Sequence, residues 1–107
     1  MRRGDLFRVR RPGGDPRRAR VVVVVGRQAV IDARVATVTC APVLTPRGGL
    51  STEVAVGPAT GLKLEASVQC DALMSVPKAS LTDYVGALPP EDLERLAAAL
   101  RIALDLE

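Results

Sequence analysis

Gly4-Asp5-Leu6-Phe7-Arg8-Val9 and Arg20-Val21-Val22-Val23-Val24-Val25-Gly26 are the two stretches on which the fold of this chain turns. Five consecutive β-branched residues favour a strand over a helix, because a second heavy atom on Cβ crowds χ1 against the preceding helical turn. A strand of valine alone has no polar face to give to water, so it is expected to be covered on both sides and central in its sheet. Residues 4–10 and 19–26 therefore read as two strands. Arg11-Pro12-Gly13-Gly14-Asp15-Pro16-Arg17-Arg18 between them is too rich in Gly and Pro to extend either. Arg20 stands at the rim where this cationic loop becomes sheet. A guanidinium held on a strand end beneath a basic loop suits phosphate, offering bidentate donors from the strand and further charge from the loop. The rival reading is a dinucleotide-binding unit opening on the valine strand. It fails at Gly26-Arg27-Gln28-Ala29-Val30, which lacks the second and third glycines that let a pyrophosphate approach the backbone.

Downstream, Val35 to Ala41 alternates with the period of a half-buried strand, and Pro42 to Gly49 breaks the pattern. Thr52–Val56, Ser67–Val76 and Asp83–Leu88 are further strands, with a single helical turn at Lys78–Leu81. Short strands with turn signals every ten or so residues predict a small antiparallel barrel. One helix closes the chain. Pro90 suits the first helical position, Glu91 and Asp92 complement the dipole, and Leu93, Leu96, Ala97, Leu100 and Leu104 form an apolar stripe. Glu91 and Arg95 are spaced for an i,i+4 pair.

The 107 residues are enough for one domain that buries roughly 60–70% of its unfolded surface. Apolar residues make up 48% and aromatics 2%, so the core must be Val, Leu, Ala and Ile without large rings. The formal charge of +3 hides an asymmetry: eight arginines stand in the first twenty residues against Asp5 and Asp15, whereas acids outnumber bases from Leu50 onward. A basic end on a near-neutral body predicts an anionic partner. Cys40 and Cys70 sit in strand-like segments without metal-site spacing and are expected to be small core hydrophobes. Arg2 and Arg3 are followed by no long apolar run, and every apolar stretch falls far short of about 20 residues. Neither a signal peptide nor a membrane span is expected, and the default compartment is the cytoplasm.

With no histidine, Ser–His and Cys–His nucleophilic catalysis and histidine-based metal sites are excluded. No Walker loop is present, and Phe7 and Tyr84 are too few rings for a base-stacking platform. What remains is phosphate chemistry carried out with arginine, hydroxyls and backbone amides.

Taken in order, Gly4-Asp5-Leu6, Arg20 leading an apolar strand, and Val38-Thr39-Cys40-Ala41-Pro42-Val43 resemble the MazF/PemK family of toxin–antitoxin endoribonuclease toxins. The later segments extend the resemblance over nearly the whole chain: Gly49-Leu50-Ser51-Thr52-Glu53-Val54, Gly61-Leu62, Ser67-Val68 with Asp71, Val76-Pro77-Lys78, the Gly86 segment and the C-terminal helix. The resemblance implies one toxin domain over residues 1–107. Its fold would be mainly β with α, a small antiparallel SH3-like barrel of PemK/CcdB type with a C-terminal helix, assembled as a homodimer. It further implies sequence-specific cleavage of single-stranded RNA without metal or cofactor, by attack of a ribose 2′-oxygen that leaves a 2′,3′-cyclic phosphate. A cognate antitoxin is the implied protein partner.

Residue by residue, Arg20 matches the family's catalytic arginine, and stabilising the phosphoryl transition state is its implied role. Arg17, Arg18 and Arg47 would guide RNA, and Asp15 stands where the family often carries a loop acid. Two departures matter. Val21 follows the arginine where the family usually has proline, and Leu44 occupies the place of the catalytic threonine, two residues after Pro42. Thr45 is one place further on. Neighbouring side chains on a strand face opposite ways, so Thr45 takes the role only where the chain bends. Pro46 and Gly48-Gly49 favour such a bend. Leu44 favours the alternative of a weak or inactive barrel of the same fold, binding an antitoxin or poisoning a protein target such as gyrase. A bare dimerising barrel with a solvated basic end is a third possibility.

Overall fold

The valine run forms β2 (Arg20–Val24), and it lies inside the sheet, as its two apolar faces require. The computed structural model describes residues 1–10 and 19–106. In it β2 is flanked by β1 (Asp5–Val9) and β3 (Thr37–Leu44), both antiparallel to it. Outside these lie β4 (Glu53–Val56), β5 (Ala66–Gln69), β6 (Met74–Pro77) and β7 (Asp83–Ala87). The sheet order is β4-β5-β3-β2-β1-β7, with β6 also paired to β3. A short helix, α1 (Gln28–Asp32), follows β2, and α2 (Pro90–Ala103) closes the chain. This is the expected mainly β fold with one long C-terminal helix. Among the described residues no helix is long and apolar enough to cross a membrane.

The alternation of β2 feeds two cores. Val23 and Val25 pack with Leu6, Ala41, Val54 and Val68 beneath Leu96 and Ala99 of α2. Val22 and Val24 pack on the other face with Phe7, Val38, Cys40 and Val76. Leu93, Leu100 and Ala103 complete the docked stripe of α2, whereas Leu104 lies past the helix end and is 53% exposed. Arg95 pairs with Asp92 at 3.5 Å rather than with Glu91, because its guanidinium also donates to the Ala55 carbonyl on β4.

Two local expectations are corrected, and one short element is added that the sequence reading did not expect. β3 runs through Pro42 to Leu44 instead of stopping before the proline. Val25 N–H donates to Thr39 O, and with residues 24 and 40 opposite each other this makes 22 and 42 a non-hydrogen-bonded pair. The proline nitrogen therefore faces away from β2, toward the gap between β6, which pairs with residues 37–40, and β5, which pairs with 43–44. No ladder donor is needed there. Secondly, Ser67–Val76 is two strands, not one. A 3-10 turn at Cys70–Ala72 divides them, held by Cys70 N–H on Thr52 O and Thr52 Oγ1 on Asp71. The added element, α1, is too short to show helical periodicity. It is held from a distance by Lys78 Nζ, which donates to the carbonyls of Val30 and Ala33 at 2.8 Å each.

The two ends of the sheet approach each other where the 3-10 turn Pro58–Thr60, after β4, lies backbone to backbone against β7. A Cβ on Gly86 would collide with the Thr60 carbonyl, and one on Gly61 (φ +96°) with the Val85 carbonyl. Gly86→Ala is expected to destabilise the domain by about 1–3 kcal/mol, as overpacking typically does. For a domain of this size that lowers Tm by roughly 5–20 °C, and a calorimetric melt within 2 °C of wild type, or about that precision, would disprove the close contact.

Candidate active site

The ends of β1, β2 and β3 open into a cleft of about 510 Å³. Val21 and Val43, directly opposite each other, line it on the sheet side, and the segment of residues 61–66 lines it from the loop that follows the 3-10 turn. Arg8, Arg20, Leu44 and Thr45 line it as well. That loop is carried by the turn that Gly61 and Gly86 dock onto β7, so the cleft depends on that backbone contact.

Arg20 is the first residue of β2 and is exposed. It pairs with Val9 on β1, and the β2–β3 register extended by one residue puts Leu44 opposite it on the other side. That pair is non-hydrogen-bonded, like 22 and 42, and such pairs bring side chains closest. The side chain sharing Arg20's face is thus an aliphatic one. Thr45 follows at a bend, one residue beyond the end of β3, and lines the same cleft.

The sequence reading brought forward Arg20 and Thr45, which the fold brings to one cleft. Arg47 lies beyond the cleft lining, in the β3–β4 loop, with its backbone N–H donated to Glu53. Asp15, Arg17 and Arg18 lie outside the described residues. Arg8, Lys63 and Glu65 were missed, and all three line the cleft. Arg8 carried a weak signal as a charge at a strand position sharing the parity of core residue Leu6. Arg8 and Arg10 both approach Asp83 at 3.7 Å, so two guanidinium groups share one carboxylate and leave positive charge in excess. Among the described residues no cluster of three His, Cys, Asp or Glu side chains is placed to hold a metal ion.

Burial pushes the Cys40 thiol up to about 11. Burial, with the Asp71 charge added, does the same for Cys70, again to about 11. Both are core thiols and neither is a nucleophile at neutral pH. Glu53 behaves differently. Burial would raise its carboxyl, but hydrogen bonds from Gln69, the Arg47 and Gly49 amides and Ser67 outweigh that and hold it below its ordinary value of 4.5. A carboxylate whose folded value is depressed contributes stability above its ordinary range, and that contribution is lost as pH falls through the folded value. Urea midpoints are therefore expected to fall more steeply on acidification for wild type than for Glu53→Gln. Parallel curves would refute the assignment.

The chain matches the family of PemK-like, MazF-like toxins of type II toxin–antitoxin systems over residues 2–104. It is 34% identical over 90 residues to endoribonuclease MazF3 of Mycobacterium tuberculosis, covering 84% of this chain and 86% of that protein. It is 33% identical to a probable endoribonuclease MazF of Mycolicibacterium smegmatis, covering 99% and 98%. In three dimensions it superposes on an endoribonuclease solved in complex with its cognate antitoxin, from a mycobacterial species, with a TM-score of 0.85. That structure is 28% identical, with 100% of this chain and 97% of the other covered.

Proposed function

The chain belongs to the PemK-like, MazF-like toxin family of type II toxin–antitoxin systems, and from that premise we propose that it is an endoribonuclease acting on single-stranded RNA in the cytoplasm. The observation that carries this reading is the convergence of Arg20 and Thr45 at one cleft that Arg8 also lines. The ribose 2′-oxygen attacks its neighbouring phosphorus, the bond to the 5′-oxygen breaks, and the products end in a 2′,3′-cyclic phosphate and a 5′-hydroxyl. The 2′-hydroxyl proton leaves to solvent and the departing 5′-oxygen takes one up. The nucleophile belongs to the substrate, so the protein need only orient the strand and stabilise charge, and no metal is required. Arg20 stabilises the phosphoryl oxygens, since a guanidinium with pKa above about 12 is a poor base. Thr45 donates to the scissile phosphate or leaving group. Asp15, Arg17, Arg18 and Arg47 guide the strand.

A homodimer silenced by a cognate antitoxin completes the reading. An acidic, partly apolar antitoxin segment that folds on binding would cover both the cleft and its arginines. Leu44 beside Arg20 favours a second reading, a weak or inactive barrel that binds an antitoxin or poisons a protein target such as gyrase. A long unstructured RNA incubated with purified protein in EDTA separates the two. Discrete fragments ending in cyclic phosphate are expected. Intact RNA across varied sequences would favour the second reading.

A further inference from the structure

The β3–β4 loop is gathered onto the sheet by one carboxylate. Glu53 Oε1 accepts from the Arg47 N–H at 2.6 Å and from Gln69 Nε2 at 3.2 Å. Glu53 Oε2 accepts from the Gly49 N–H at 3.2 Å and from Ser67 Oγ at 3.5 Å. Gln69 and Ser67 are 4% and 2% exposed on β5, and Gln69 is Glu53's direct cross-strand partner. Each oxygen thus has one donor on rigid sheet and one on the loop. The loop itself is exposed from residue 45 to 51, and Gly48 and Gly49 take left-handed φ values of +93° and +76° with open space around them. Such a segment has many conformations open to it unless something holds it.

We propose that Glu53 is a positioning residue for the cleft: by clamping the Arg47 and Gly49 amides to β5, it sets where the chain bends at Thr45 and where Thr45 and Arg47 meet the RNA backbone. The proposal rests on the nuclease reading. Thr45 is two residues from the clamped amide, a span of at most about 7 Å, so pinning Arg47 confines the threonine. A displacement of about 1 Å at a reacting centre can cost on the order of a hundredfold in rate. The clamp needs a carboxylate because all four partners are donors and only an ionised acid is acceptor-only. In Glu53→Gln one oxygen becomes an NH₂ group. It turns a donor toward either the Arg47 or the Gly49 amide, so one loop contact is lost.

The test combines amide hydrogen exchange by NMR with steady-state cleavage of RNA by wild type, Glu53→Gln and Glu53→Asp. In wild type the Arg47 and Gly49 amides are expected to exchange more slowly than that of Gly48. In Glu53→Gln at least one loses its protection, and kcat falls about ten- to a hundredfold while KM changes far less. Glu53→Asp keeps the charge but is one methylene short of bridging loop and β5. It is expected to show the same split, and it serves if the Gln variant does not fold. Wild-type amides as fast as Gly48's overturn the clamp whatever the variants do. Lost protection with unchanged kcat overturns the positioning role and leaves a structural one. A wild type that cleaves no RNA overturns the nuclease reading and the catalytic half of the proposal, while the exchange data still decide whether the clamp exists.

Discussion

Arg20→Ala is expected to leave a folded protein whose RNA cleavage is slowed by about 100- to 1,000-fold, the usual cost of removing one preorganised donor to developing charge. Two features make the substitution clean. Arg20 is exposed at the first position of β2, so its side chain contributes no core volume. The packing of that strand rests on Val22, Val23 and Val24, each at most 2% exposed. Thermal melts of wild type and variant should therefore nearly coincide while rates diverge. Arg20→Lys keeps the charge but loses the planar fork that grips two phosphoryl oxygens, and is expected to fall between them. Near-wild-type cleavage by folded Arg20→Ala would remove Arg20 from the mechanism.

The second large effect concerns the pair that follows β3. Leu44, opposite Arg20 when the β2–β3 register is continued by one residue, offers no hydroxyl, whereas Thr45 offers one from a bend that lines the same cleft. Thr45→Val keeps the shape and removes the hydroxyl. If Thr45 contacts the scissile phosphate, the loss of one hydrogen bond to a charged group is worth about 1.5–3 kcal/mol, or roughly ten- to a hundredfold in rate. Leu44→Thr places a hydroxyl directly beside the guanidinium and is expected to raise the rate. The two effects are not expected to add, because both hydroxyls would serve one phosphate. Robust wild-type cleavage untouched by Thr45→Val would leave Thr45 without a catalytic part. Inert wild type together with inert Leu44→Thr would make the non-catalytic reading the better one.

What the amino-acid sequence determined by itself is local. Five β-branched valines without a polar alternate dictate a central strand, since neither face can be given to water. Pro90, the acidic first turn and the leucine spacing dictate α2 as far as Leu100, because capping and periodicity are read within a few turns. Chain order alone puts Arg20 at the junction of basic loop and strand, and the absence of histidine excludes histidine-dependent catalysis and histidine-based metal sites. Only the tertiary structure decided register, face and partner. That Leu44 falls opposite Arg20, one residue beyond the paired stretch, follows from pairing residues 16 to 22 apart in the chain, and one residue of slip would exchange it for its neighbour. Pro42 is tolerated in β3 because β5 and β6 leave a gap beside it, and no local rule contains that gap. α1 exists because Lys78, far along the chain, caps its carbonyls. The cleft is lined by a loop and by strands that are adjacent only after Gly61 and Gly86 meet Val85 and Thr60. Glu53 looks like any strand-end acid until four donors from a loop and a second strand converge on it. Propensity and periodicity act over a turn or a strand, whereas a site is a meeting of distant segments, and only the pairing of those segments says which side chains share it.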